Sequence, residues 1–130
     1  MKNWTLWIVG GLLIVGAIGG IVGFEMWKYK QSQKPGPLDS FATCIKDSGA
    51  IFYGAYWCQH CQNQKKMFGT SARLLPYHEC AKGGDLGKRC EEVKIEGYPT
   101  WVFADGSRLS GEVPLANLAS STQCSLPQTP

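Results

Sequence analysis

Ile51-Phe52-Tyr53-Gly54-Ala55-Tyr56-Trp57-Cys58-Gln59-His60-Cys61 is an apolar, aromatic-rich run that ends in two cysteines separated by two residues. It reads as a buried strand that delivers two thiols to the mouth of a helix, because Gln62, Asn63, Gln64, Lys65, Lys66, Met67 and Phe68 follow with helical composition. Cys58 is thereby expected at a helix N-terminus. Unpaired backbone N–H groups and the positive end of the macrodipole favour a thiolate there, which lowers the expected pKa of Cys58 and marks it as the attacking sulfur. His60, between the two sulfurs, offers a second stabilising contact, as a hydrogen bond or as an imidazolium. Two intervening residues across a helix start bring the sulfurs within bonding range, so Cys61 is the natural resolving thiol. A merely structural bridge between them is the plainer reading.

The whole chain bounds these readings. Its 130 residues suffice for one compact domain and an appendage. A net charge of +3, with basic residues scattered among acids, gives a nucleic-acid role little support. Six cysteines beside an apolar N-terminus favour an oxidising compartment outside the cytoplasm. Zinc sites of the common kind need two closely spaced ligand pairs, and only Cys58 and Cys61 are so spaced, so no metal is expected.

Residues 4–24 carry no charge, and 21 residues of helix span roughly 30 Å of hydrocarbon. With Trp4 and Trp7 at one end and Trp27 and Tyr29 at the other, residues 1–29 read as an uncleaved transmembrane anchor in preference to a signal peptide. Orientation is contested: Lys28, Lys30 and Lys34 follow the span and only Lys2 precedes it, which by the positive-inside rule keeps the rest cytoplasmic, while the cysteines argue for the opposite side. The cysteines are given precedence, and a single-pass protein of the cell membrane with its C-terminal domain outside the cytoplasm is expected. Residues 30–37 read as a linker, 38–126 as the folded domain and 127–130 as a tail. Within the domain the pattern predicts helix (39–48), strand (50–55), a helix from Cys58 to about Leu75 with a break near Gly69, strand (77–80), helix (86–95), strands (100–104 and 108–111) joined by Asp105-Gly106, and a helix over 114–121 with Pro114 in its first turn.

Trp57-Cys58-Gln59-His60-Cys61 resembles the active-site motif of the thioredoxin superfamily, and Gly97-Tyr98-Pro99-Thr100 resembles its cis-proline loop. The wider text, residues 53–69 with 98–102, is similar to the thioredoxin-like domain fused to, or encoded beside, bacterial vitamin K epoxide reductase homologues; the likeness runs from about Leu38 to Leu126. It implies an α/β thioredoxin-like fold, a mixed four-stranded sheet flanked by helices, with an extra N-terminal helix in front. It implies a protein thiol-disulfide oxidoreductase in which Cys58 exchanges disulfides with secreted or periplasmic proteins. A vitamin K epoxide reductase homologue is then the partner that reoxidises it. The cysteine pair itself carries the electrons, so no cofactor is expected and a quinone enters only through the partner. In the resemblance Pro99 is the cis proline facing the disulfide, with an ordinary turn proline as the plainer alternative; Tyr56, Trp57 and Tyr98 are read as lining a landing surface for a substrate chain, and Trp101 either there or in the core. That family usually buries an acid six residues before the first cysteine, where this chain has Phe52, leaving water, His60 or an acid such as Glu79 to handle the proton of the resolving thiol.

Cys80 and Cys90 are candidates for a structural staple, with an electron relay as the second reading. Cys44 and Cys124 are candidates for a bridge tying the extra helix to the C-terminus, with a free buried Cys44 as the alternative. His78 reads as a surface or packed histidine. Two other functions stay open: a reductant or disulfide isomerase in the same compartment, and a copper-delivery module. The two-residue spacer and Pro99 weaken the copper reading.

Overall fold

The computed structural model of the chain describes residues 4–127; residues 1–3, with Lys2, and residues 128–130 of the tail lie outside the described residues. The chain divides between Lys34 and Pro35 into two compact units.

The first unit is one helix, α1 (Trp4–Ser32). By length and composition it suffices to cross a membrane, with the candidate span falling at Trp7–Gln31. That span starts and ends later than the uncharged run 4–24, because the helix carries on through Glu25 and Lys28, which sit one turn apart at 3.6 Å and offset one another. It also continues three residues into the stretch read as a linker, since nothing between Lys30 and Ser32 breaks a helix.

The second unit carries every other element. α2 (Asp39–Asp47) packs Phe41, Ala42 and Ile45 inward and ends at Gly49, whose φ of 82° suits the left-handed turn after a helix. β1 (Ile51–Gly54), α3 (Gln59–Met67), a 3₁₀ segment (Gly69–Leu74), β2 (Tyr77–Glu79), α4 (Gly84–Glu92), β3 (Thr100–Val102), β4 (Arg108–Ser110) and α5 (Leu115–Thr122) follow. The four strands form one sheet in the order β2-β1-β3-β4, with β1 parallel to β2 and antiparallel to β3, and β3 antiparallel to β4. This is the mixed, helix-flanked thioredoxin-like arrangement, preceded by the extra helix α2.

Side chains alternate across a strand, and both faces of β1 are covered, so Phe52, Tyr53 and Gly54 are all buried. On one face Phe52 stacks on Trp101 with ring centroids 4.7 Å apart and meets the edge of Tyr77 at 5.2 Å, within the main core that also holds Phe41, Ile45, Phe68 and Leu118. On the other face Tyr53 packs with Cys80 and Cys90. Trp101 is therefore core and leaves the proposed landing surface: its position in β3, opposite Phe52, turns the ring inward, and its indole N–H has no hydrogen-bond partner.

Two disulfides brace this unit. Cys44 bonds Cys124, joining α2 to the end of α5, and Cys80 bonds Cys90, joining the end of β2 to α4. α2 is further clamped to the 3₁₀ segment. Arg73 donates two hydrogen bonds to the Asp39 carboxylate, at 2.9 and 2.6 Å, and the Leu38 N–H donates to Ser71 Oγ at 3.2 Å. The Arg73 guanidinium holds Asp39 well below the usual carboxylate range. The break expected near Gly69 is where it falls: α3 ends at Met67, Gly69 takes φ 55°, a conformation that costs glycine little, and the 3₁₀ segment carries the chain on to Leu74.

Candidate active site

β1 stops at Gly54, and the chain turns through Ala55, Tyr56 and Trp57 before α3 begins. Cys58 is the N-cap of α3, with extended φ and ψ of −75° and 114°, and its sulfur accepts a hydrogen bond from the Cys61 N–H at 3.2 Å. A sulfur in the N-cap position meets the helix's unpaired donors and the positive end of its dipole. Both cysteines are free thiols. Cys58 keeps 6% of its surface in solvent and Cys61 none, so of the two only Cys58 can meet an incoming molecule.

Burial pushes the Cys61 thiol up to about 12, and the adjoining Cys58 sulfur pushes the same way. A group so shifted keeps its proton at neutral pH. The two sulfurs thus differ in reach and in surroundings although they stand one helical turn apart.

A groove of about 440 Å³ opens over Cys58, lined by Trp57, Gln59, His60, Glu96, Gly97 and Tyr98. Trp57 is 64% exposed and meets the Tyr98 ring edge-on, centroids 6.1 Å apart. The Tyr98–Pro99 peptide bond is cis and Pro99 itself is fully buried, so the loop faces the groove through Gly97 and Tyr98. The loop is fixed from below by the Thr100 hydroxyl, which donates to the Gly97 carbonyl at 2.8 Å, and by the Gly111 N–H on the Pro99 carbonyl at 2.9 Å.

His60 lines the groove, but its ring bonds to neither sulfur: Nδ1 pairs with Glu112 Oε1 at 2.7 Å, and Asn63 donates to the same oxygen at 3.0 Å. His60 and then Asn63 hold the Glu112 carboxyl below its ordinary value. Glu112 lies far from the cysteine motif in sequence, and nothing in its neighbours signals the contact.

Behind the sulfurs lies a cluster that sequence reading caught only in part. Phe52 fills the position where an acid was looked for, stacked in the core. Glu79, named as one alternative, is bound by three donors: the Ala81 N–H at 2.9 Å, the Tyr77 hydroxyl at 2.8 Å and the Tyr56 N–H at 3.2 Å. Burial works to raise its pKa, yet these donors, led by Ala81, bring it below the ordinary value. Lys65, which the sequence presents as one of a polar run, puts its ammonium 3.3 Å from the centre of the Tyr77 ring. Gln64, from the same polar run, is fully buried and bonds the backbone of Val113. The available signal was spacing: positions three and four beyond Cys61 share its helix face.

The remaining candidates sit apart. Cys80 and Cys90, and Cys44 and Cys124, are bonded to one another as described. His78 packs edge-on against Tyr53 and its Nε2 lies 3.0 Å from the Leu86 carbonyl. Among the described residues no group of three or more His, Cys, Asp or Glu side chains converges so as to hold a metal ion.

No family model matches the chain. Thiol-disulfide oxidoreductase LTO1 of Arabidopsis thaliana is 45% identical to it over 95 residues, a match covering 68% of this chain and 25% of that protein. This chain therefore spans about a quarter of the length of the curated relative it matches. At that identity, and with the sheet and helix order described above, the chain is similar to a redox enzyme of thioredoxin-like kind.

Proposed function

We propose that this chain is a membrane-anchored, extracytoplasmic thiol-disulfide oxidoreductase that exchanges disulfides with secreted proteins. The observation that carries the reading is the asymmetric pair: Cys58 at the N-cap of α3 under an open aromatic groove, and Cys61 behind it, sealed and held as a thiol. Cys58 attacks or is attacked, and Cys61 resolves the mixed disulfide. Trp57 and Tyr98 receive the substrate chain, with the Tyr98 backbone pairing to it as an added strand would. His60, tied to Glu112, forms a polar rim beside the entering sulfur. No cofactor is needed, since the pair carries both electrons.

α1 supports the anchor, and two disulfides in a unit of this size support an oxidising compartment. A vitamin K epoxide reductase homologue, bringing a quinone, is proposed as the protein that reoxidises the pair. The similarity to a named thiol-disulfide oxidoreductase supports the chemistry. With Cys61→Ala in the full chain, cells should accumulate covalent adducts between Cys58 and secreted proteins that dissolve on reduction; Cys58→Ala should give none. A Cys61→Ala protein recovered with no reducible adduct sinks the reading.

A further inference from the structure

The resolving thiol must lose a proton to attack and regain it on leaving, and it is the sulfur that the fold makes hardest to ionise. No carboxylate stands on β1 to take that proton. The groups that do face Cys61 come from two elements. Cys58 and Lys65 lie on α3 itself, Lys65 one turn after Cys61 on the same face. Tyr77 and Glu79 come from β2, through the open side of Gly54. The point where a Cβ on Gly54 would stand lies 3.0 Å from Cys61 Sγ, 2.8 Å from Tyr77 Cε2 and 3.4 Å from Tyr77 Oη. Glycine there lets the sulfur and the phenol ring close in from two sides. The Lys65 ammonium caps that ring at 3.3 Å from its centroid, and the Tyr77 hydroxyl donates to Glu79.

We propose that Lys65 is the proton partner of Cys61, seated against the Tyr77 ring and facing the negative charge of Glu79. The inference rests on the disulfide-exchange reading above. When the pair reduces a substrate, the Lys65 amine takes the Cys61 proton, and the thiolate attacks Cys58 Sγ of the mixed disulfide. The Cys58–Cys61 bond forms as the Cys58–substrate bond breaks, and the substrate sulfur leaves with the electron pair. In the oxidising direction a substrate thiolate attacks Cys58, Cys61 departs as thiolate, and the Lys65 ammonium returns its proton. Partial burial suits the side chain to this exchange: it draws the Lys65 ammonium below its ordinary pKa, toward release of a proton, while the negative charges of Cys61 and Glu79 oppose full loss. Glu79 is the poorer base, since its lone pairs are already bound by three donors. Its role is to fix Tyr77 and balance the lysine.

The test uses the reduced full chain in detergent, glutathione disulfide as the probe, and acid quenching with mass measurement to follow two steps. These are formation of the Cys58–glutathione adduct and its loss as Cys61 closes the intramolecular bond. With Lys65→Met the first step should be unchanged. The second should slow about a hundredfold at pH 7, its pH profile displaced to higher pH, as loss of an acid–base partner predicts. Lys65→Arg occupies the same space and keeps the charge but does not release a proton in this range, so its profile should also be displaced. A folded Lys65→Met protein whose second-step profile lies on that of the wild type overturns the proposal, and so does a Lys65→Arg profile that lies there. A wild-type chain that forms no adduct, or never releases glutathione from it, overturns the disulfide-exchange reading itself.

Discussion

The amide of Gln64 pairs with the backbone of Val113 through two hydrogen bonds: Nε2 donates to the Val113 carbonyl at 3.0 Å, and Oε1 accepts from the Val113 N–H at 2.6 Å. A side chain on α3 thus does for the loop before α5 what a neighbouring strand would do. It sets Glu112, the preceding residue, against His60 and Asn63.

Gln64→Leu should therefore destabilise the protein by about 2–4 kcal/mol, because it strands a buried N–H and a buried carbonyl together. Denaturant unfolding followed by tryptophan fluorescence checks this. The same substitution should loosen the His60–Glu112 contact.

Gly54→Ala is expected to cost about 1–3 kcal/mol and to slow closure of the cysteine pair, since a methyl group has no room between Cys61 and Tyr77. Unfolding and single-turnover exchange, measured on the same preparation, separate the two effects. Equal stability and equal rates would show that the space yields freely.

Cys61, shifted from 9.0 to about 12, should have a thiolate fraction about a thousandfold below that of an ordinary cysteine at neutral pH. Brief iodoacetamide treatment of the native protein should add a single label, mapped to Cys58 by peptide mass analysis. Cys61 should label only after unfolding. Because its pKa is raised, folding holds the proton more tightly than the unfolded chain does. Its contribution to stability is complete below pH 9.0 and is lost as pH climbs toward about 12.

Asp39, Glu79 and Glu112 shift the other way. Their folded pKa values lie below the ordinary 3.8 and 4.5, so the stability they contribute is present above those values and is lost as pH falls through the depressed ones. Melting temperature should drop progressively below about pH 4.5, and Asp39→Asn should flatten the steepest part of that fall. A melting curve indifferent to pH over this window would contradict the Arg73–Asp39 clamp.

The cysteine motif, the strand feeding it and the extra helix were legible because each rests on local signals: an apolar run, a helix-start composition, a stop at Gly49. α4 begins at Gly84, earlier than the Leu86 suggested by composition, since a glycine pair that reads as loop here opens the first turn. Trp101 was ambiguous because a three-residue strand gives no period from which to choose its inner face; only pairing with Phe52 decides it. Lys65 and Gln64 were hidden by their chemistry. Polar residues on a short helix read as its wet side, and only the tertiary partners, Tyr77 and Val113, reveal that this helix is polar inward as well. Glu112 carried no signal at all, being brought to His60 by chain reversal 52 residues later.

The Cys44–Cys124 bond joins residues 80 apart in sequence, and the chain it encloses holds Cys58, Cys61 and the whole Cys80–Cys90 loop. A protease that cuts once inside that circle, for instance at the exposed Asp105-Gly106 turn, severs the backbone without parting the fragments. The nicked molecule should run as one band on an unreduced gel and as two after reduction. Damage at an outer loop would then leave the N-terminal helix covalently joined to the Cys58–Cys61 motif and to everything downstream, so cleavage and release become separate events.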